Sequence, residues 1–276
     1  MSGSLEAALE LVRGWGAERA AVAVVGTNGV VASVGDPASL AEWASVTKLV
    51  TAYAVLRAVE RGDIALDEPY GPPAATVRHL LAHASGLGPE GSVPISAPER
   101  TRIYSNVGYD LLGTLLEERS GRPIATVLED DVLEPLGMTE THLVGRPSAG
   151  VRGSLDDLAR FARELLRPSL TAPGTLAAAT TVAFPGLAGV LPGIGRFDPL
   201  DWGLGFELRN GKDPHWTGTR NSAATFGHFG ASGTFVWVDP GADLALACLT
   251  ERQFGPWAMA AWPALSDAVL QAAAGV

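Results

Sequence analysis

Trp43-Ala44-Ser45-Val46-Thr47-Lys48-Leu49 is the stretch whose reading decides the rest of the chain. It leads into a segment from Ser45 to Arg61 that is closed by Gly62, which predicts a helix with a glycine stop. At helical spacing Ser45, Lys48, Ala52, Val55 and Val59 share one stripe, while Leu49, Tyr53 and Leu56 cover the adjoining face. Lys48 therefore projects from an apolar stripe. The chain has two lysines, Lys48 and Lys212, against eighteen arginines, so a lysine here is a rare choice. An amine drawn into apolar surroundings loses hydration; its pKa falls and it becomes a usable base. The Ser45 hydroxyl, three residues earlier on the same stripe, lies within reach of that amine. A plainer reading makes Ser45 an N-cap. A helix N-terminus would also favour negative charge developing at the serine.

Outward from this stretch, 276 residues suffice for one large domain or two intimately packed ones with a sizeable core. The single cysteine, Cys248, rules out an internal disulfide, and its apolar run Leu244 to Leu249 predicts a buried strand position. A formal charge of −10 and a pI near 5.0 argue against nucleic acid as a partner. No apolar run is long enough to span a membrane. The first residues lack a basic segment followed by an apolar one, so the expected location is cytoplasmic.

The N-terminal residues 4 to 13 carry helical apolar spacing through Leu5, Ala8, Leu9 and Val12. Ala20 to Val25, a turn at Thr27-Asn28-Gly29, and Val30 to Val34 predict a hairpin. From Asp63 to about Gly195 helices take over. One spans Thr76 to His83, one Gly108 to Ser120, one starts at Pro123, and Ser154 caps another that uses Leu158, Phe161 and Leu165. Residues 168 to 200, rich in proline and glycine, read as loop with little regular structure. Strands return after Trp202 to Leu208, with a second hairpin at Thr234 to Val238 and Leu244 to Leu249. A helix over 257 to 274 closes the chain. The expected fold is α+β: an antiparallel sheet flanked by N- and C-terminal helices, with a helical insertion. The expected division is a discontinuous sheet part, residues 1–62 and 201–276, and a helical part, residues 63–200, together one catalytic unit.

Two further segments carry chemistry. Ile103-Tyr104-Ser105-Asn106-Val107 is a polar interruption ahead of a helix, and Phe226-Gly-His228-Phe-Gly230-Ala-Ser-Gly233 is a glycine-rich strand entry. Ser45-x-x-Lys48, then Tyr104-x-Asn106, then His228-x-Gly230, in that order, resemble the motifs of the serine β-lactamase and penicillin-binding-protein superfamily. The nearest likeness is to its class C β-lactamase, carboxylesterase and D-aminopeptidase branch. His79-Leu-Leu-Ala-His-Ala-Ser-Gly-Leu87, Gly153 to Leu158 and Trp202-Gly-Leu-Gly205 extend the likeness over residues 20 to 270.

The resemblance implies a β-lactamase/transpeptidase-like fold and an acyl-enzyme mechanism without cofactor or metal. Ser45 would be the nucleophile. Lys48 and Tyr104 would share its proton, with the phenol's pKa lowered by the nearby ammonium. The N–H groups of Ser45 and Ala231 would form the oxyanion hole, and Asn106, His228 and Gly230 would bind substrate. One departure bears on substrate: β-lactamases and peptidoglycan peptidases usually have lysine where this chain has His228. Histidine is mostly neutral at pH 7, which moves the expectation from carboxylate-bearing β-lactams toward small neutral esters or amides. The alternatives are a D-aminopeptidase, amidase or weak β-lactamase on the same site, and a catalytically idle ligand-binding member. His79 and His83, four apart, lack the glutamate of a zinc-protease pattern. Oligomeric state is not legible in the sequence.

Overall fold

The computed structural model describes residues 2–275. At its centre a six-stranded antiparallel sheet runs, in spatial order, Gly29–Val34, Ala20–Gly26, Leu244–Thr250, Phe235–Asp239, Phe226–Phe229, Glu207–Leu208. Distant parts of the chain meet in the middle, where Val22 lies opposite Cys248 and Val24 opposite Leu246. Strand alternation sends these four residues to one face and Ala21, Ala23, Val25, Ala245 and Ala247 to the other. The first face is covered by the terminal helices, Ser2–Leu9 through Leu5 and Leu9, and Pro256–Ala274 through Trp262, Leu265 and Val269. The alanine-rich face receives the helix Leu155–Leu166 through Leu158, Phe161 and Leu165. Ser154 caps that helix by accepting from Asp157 N at 3.2 Å. The fold is thus α+β, with the sheet flanked by terminal helices and most remaining helices inserted between its strands, as expected. Among the described residues no helix is long and apolar enough to cross a membrane.

The serine segment begins with a 3-10 turn, Ala44–Val46, and continues as the α-helix Thr47–Arg61, stopped at Gly62 with φ 79°. Its apolar surface is wider than one stripe: every residue from Thr47 to Leu56 is buried, partly against the helix Asn106–Ser120. A helix enclosed this fully must bond its polar side chains internally. Thr47 Oγ1 accepts from Val151 N at 2.9 Å, and Thr51 Oγ1 donates to Pro147 O at 2.6 Å. These bonds hold the 147–151 loop beside Lys48.

Residues 168 to 200 depart from the expected loop. They contain the helix Pro173–Ala179 and a hairpin, Gly189–Leu191 with Gly195–Phe197. The hairpin's first strand runs parallel to Arg102–Ile103. Strands this short show too little alternation to be read from sequence. For the same reason the stretch after Trp202 yields only the two-residue edge strand Glu207–Leu208.

The phrase Trp202-Gly-Leu-Gly205 has a packing cause. Gly205 adopts φ +104°, and a Cβ there would sit 2.3 Å from Ala52 Cβ on the serine helix. Gly205→Ala is therefore expected to lower stability by about 1–3 kcal/mol, read from the midpoint of chemical denaturation. An unchanged midpoint would contradict this packing.

Candidate active site

The turn that carries Ser45 is held under local strain. Ala44 has φ 45°, in the left-handed region that non-glycine residues seldom occupy. Gly230, just past the strand Phe226–Phe229, lies directly on this turn: a Cβ there would come within 2.5 Å of Trp43 O and 2.9 Å of Ala44 Cβ. Only glycine permits that approach, which brings the sheet edge to Ser45. Tyr104 follows the strand Arg102–Ile103, and Asn106 opens the helix Asn106–Ser120. Ser105 between them caps the helix, accepting from Gly108 N at 3.1 Å. The polar interruption at 103–107 is thus both a helix cap and a display of two site residues. Ser45, Tyr104, His228 and Ala231 line one cavity of about 270 Å³. A larger cleft of about 420 Å³, which holds the Arg19–Glu251 ion pair, lies away from the serine–lysine pair.

Lys48 is fully buried. Its Nζ donates to Asn106 Oδ1 at 2.7 Å and to Ser148 O at 2.8 Å, and lies 3.4 Å from Ser45 Oγ. It also sits 4.7 Å from the Tyr104 ring centroid. Burial pushes its pKa down from 10.5 to about 7; Asp110 and Glu90 resist this and the Arg146 charge adds to it. A neutral amine has two N–H bonds and one lone pair. Two carbonyl oxygens take the N–H bonds, so the lone pair is left for the Ser45 hydroxyl. Asn106 Nδ2 in turn donates to Glu90 Oε1 at 2.7 Å, and these two partners fix which way the amide faces. Arg146 bridges Glu90 and Asp110 above them.

Tyr104 differs from expectation. Its hydroxyl is buried without a partner of good hydrogen-bond geometry, and burial drives the phenol's pKa upward, with Ser45 the one influence pulling it down. Loss of hydration outweighs the influence of Ser45, so Tyr104 keeps its proton and the free base beside Ser45 is the amine. His228 is also buried. Its Nδ1–H donates to Phe229 O at 2.6 Å and its Nε2 has no partner. Burial first, and the Lys48 charge second, push its pKa down to about 3, so it is neutral at pH 7.

His79 and His83 do not share a ligand position. His79 Nδ1 accepts from Thr76 N at 3.1 Å and its Nε2 faces Glu99 at 2.9 Å, whereas His83 Nδ1 accepts from Ser105 N at 3.1 Å. Among the described residues no cluster of three or more His, Cys, Asp or Glu could hold a metal. Cys248 is buried in its strand, and burial raises its thiol's pKa.

The sequence reading missed several neighbours of the site. Ser148 contributes a backbone carbonyl, which no residue type announces. Glu90 lies in a loop with no periodicity. Leu191, Gly193 and Phe254 line the cavity from the unexpected hairpin and from the loop after Leu244–Thr250.

Comparison with known proteins places this geometry in context. Residues 11–271 match the sequence profile of the family described as Beta-lactamase. A crystal structure of a beta-lactamase from Mycobacterium bovis superposes with a TM-score of 0.94 at 53% identity, over 96% of this chain and 98% of that one. Esterase EstB of Burkholderia gladioli is 26% identical, over 82% of this chain and 81% of that protein. The D-alanyl-D-alanine-carboxypeptidase/endopeptidase AmpH of Escherichia coli is 28% identical over 40% of this chain and 38% of its own.

The state of Lys48 has a thermodynamic consequence. Its folded pKa of about 7 lies below its ordinary value of 10.5. Between those values the unfolded chain binds a proton that the folded chain does not, so this group makes stability rise with pH. Relative to Lys48→Met, the wild type should gain about 1.4 kcal/mol per pH unit as pH is raised from about 8 to 9. Parallel curves of unfolding free energy against pH would contradict the shift.

Proposed function

This chain belongs to the beta-lactamase family, and we propose that it is a serine hydrolase acting on small uncharged esters through an acyl-enzyme on Ser45. The observation that carries the proposal is the placement of the buried Lys48 amine, with both N–H bonds committed to carbonyls and Ser45 Oγ 3.4 Å away, where burial pushes its pKa down to about 7. In the proposed reaction Ser45 Oγ attacks the ester carbonyl carbon while its proton passes to the Lys48 lone pair. The N–H groups of Ser45 and Ala231 receive the oxyanion. The bond to the alcohol oxygen breaks, and that oxygen leaves with the proton of Tyr104, which is replaced from the Lys48 ammonium. Water then adds to the acyl carbon, giving its proton to Lys48, and Ser45 departs with the proton restored. Tyr104, with its raised pKa, suits the part of acid at the leaving oxygen. Asn106, whose carbonyl holds Lys48, keeps the base in place and borders the substrate with His228 and Gly230.

The preference for uncharged esters rests on His228. A neutral imidazole with a free Nε2 offers a lone pair and no cation, so a substrate carboxylate would lose its water without gaining a counter-charge. The name and 53% identity of the Mycobacterium bovis protein favour a second reading, β-lactam hydrolysis on the same machinery.

One experiment separates the readings. The protein is incubated with p-nitrophenyl butyrate, a chromogenic cephalosporin and a D-alanyl anilide, with mass spectrometry for an adduct on Ser45. The butyrate ester should be turned over most efficiently, and Ser45→Ala should abolish turnover. Because the base must be unprotonated, kcat/KM should fall about tenfold per pH unit below the Lys48 pKa of about 7 and level off above it. No turnover and no adduct would overturn the hydrolase assignment. Preferential cephalosporin turnover would overturn the inference from His228.

A further inference from the structure

We propose that the hairpin 189–197 and Phe254 form a rigid wall that selects substrates by the length of an uncharged apolar group next to the scissile carbonyl. This rests on the esterase reading and adds to it the residues that set the substrate's size. Beyond Ser45, Tyr104, His228 and Ala231, the cavity is bounded by Leu191, Pro192, Gly193, Phe229 and Phe254, none of which bears a polar side chain. A volume of about 270 Å³ is small for a ligand site. A short alkyl or compact aryl group fits such a space; a longer chain meets the wall.

The wall is tied to the reacting groups on both sides. On one, Arg102–Ile103 pairs with the hairpin, Arg102 opposite Gly189 and Ile103 opposite Val190, and the next residue is Tyr104. The buried Arg102 side chain reinforces that junction, donating to Leu200 O and Ala183 O at 2.6 Å each. On the other side, Phe254 N donates to Ala231 O at 2.9 Å, which fixes the phenyl ring relative to the proposed oxyanion hole. That ring packs 4.8 Å from Phe229 and 5.2 Å from Trp262, centroid to centroid. The two sides close on each other at Gly193, where φ is +74° and a Cβ would lie 2.5 Å from Phe254 Cε1. A side chain there would collide with the ring, so glycine sets how tightly the wall shuts. Leu191 is 1% exposed and backed by the core, whereas its neighbour Val190 is 53% exposed on the outer side of the same strand.

The test measures chain-length preference in two arms: p-nitrophenyl acetate, butyrate and octanoate vary the acyl side, and acetate esters of ethanol, butanol and octanol vary the alcohol side. The arm with the sharp cut-off identifies which side of the carbonyl faces the wall. In that arm Phe254→Ala and Leu191→Ala should raise the octyl-to-butyl kcat/KM ratio by about tenfold or more, and Val190→Ala should leave it within about twofold. Should Phe254→Ala fail to fold, Phe254→Leu should move the ratio in the same direction by less. Calorimetry with butyl- and octylboronic acids, which add to a serine hydroxyl without turnover and carry their alkyl group where an ester carries its acyl chain, reads the acyl side directly and should favour the butyl compound in the wild type where the acyl arm shows the cut-off. A wild type that hydrolyses esters without a chain-length cut-off in either arm, or whose ratio is unmoved by every wall variant, overturns this inference and leaves the hydrolase reading standing. A wild type that turns over no ester overturns the hydrolase reading, and the boronic acids then decide the wall: equal affinity, or none, overturns it too.

Discussion

Lys48 is an amine placed where an ammonium is expensive. Removing a cation from water costs several kcal/mol unless partners compensate, and here the compensation is partial: two carbonyl oxygens and an aromatic face, with no carboxylate in direct contact. The result is a base that is substantially neutral near pH 7. Much of the surrounding architecture serves that state. Thr47 and Thr51 pin the 147–151 loop so that Ser148 presents its carbonyl, and Glu90 holds the Asn106 amide with its oxygen toward the amine. Asp110 and Glu90 at the rim keep the pKa from falling further, while the Arg146 charge between them works the other way.

The same constraint explains why the serine helix is enclosed. A helix with one wet face would hydrate the amine, and its base strength would return. Helices of the insertion cover it on one side, while the sheet edge reaches Ser45 through Gly230. The site therefore forms only where the sheet and the helical insertion meet, and neither could assemble it alone. Tyr104 and His228 are driven to their neutral forms by the same lack of water. That leaves a cavity in which Tyr104 and His228 present no positive charge.

What could be read in the sequence follows from which signals are local. The sheet announces itself through alternation in Ala20–Gly26 and Leu244–Thr250, and the helix stop at Gly62 through residue type. Lys48 stands out because the chain otherwise uses arginine. The roles proposed for Tyr104, Asn106 and His228 needed all three segments together, since each alone reads as an ordinary turn or strand entry. Burial is not local, and there the sequence reading erred: it placed a lowered pKa on Tyr104, where desolvation does the reverse. Ser148 acts through its backbone, and the short strands of the 189–197 hairpin leave no periodicity, so the loop carbonyl and the cavity wall became visible only in three dimensions.

Because the chain has only two lysines, its central claim is open to direct measurement. With lysine labelled selectively with ¹⁵N at the side-chain nitrogen, NMR spectra recorded as pH is raised contain two side-chain signals, and Lys48→Met identifies which belongs to Lys48. This signal should titrate with a midpoint near the folded value of about 7. A midpoint at the ordinary lysine value of 10.5 would mean that Lys48 is a permanent cation at neutral pH, and the proposed base would be lost.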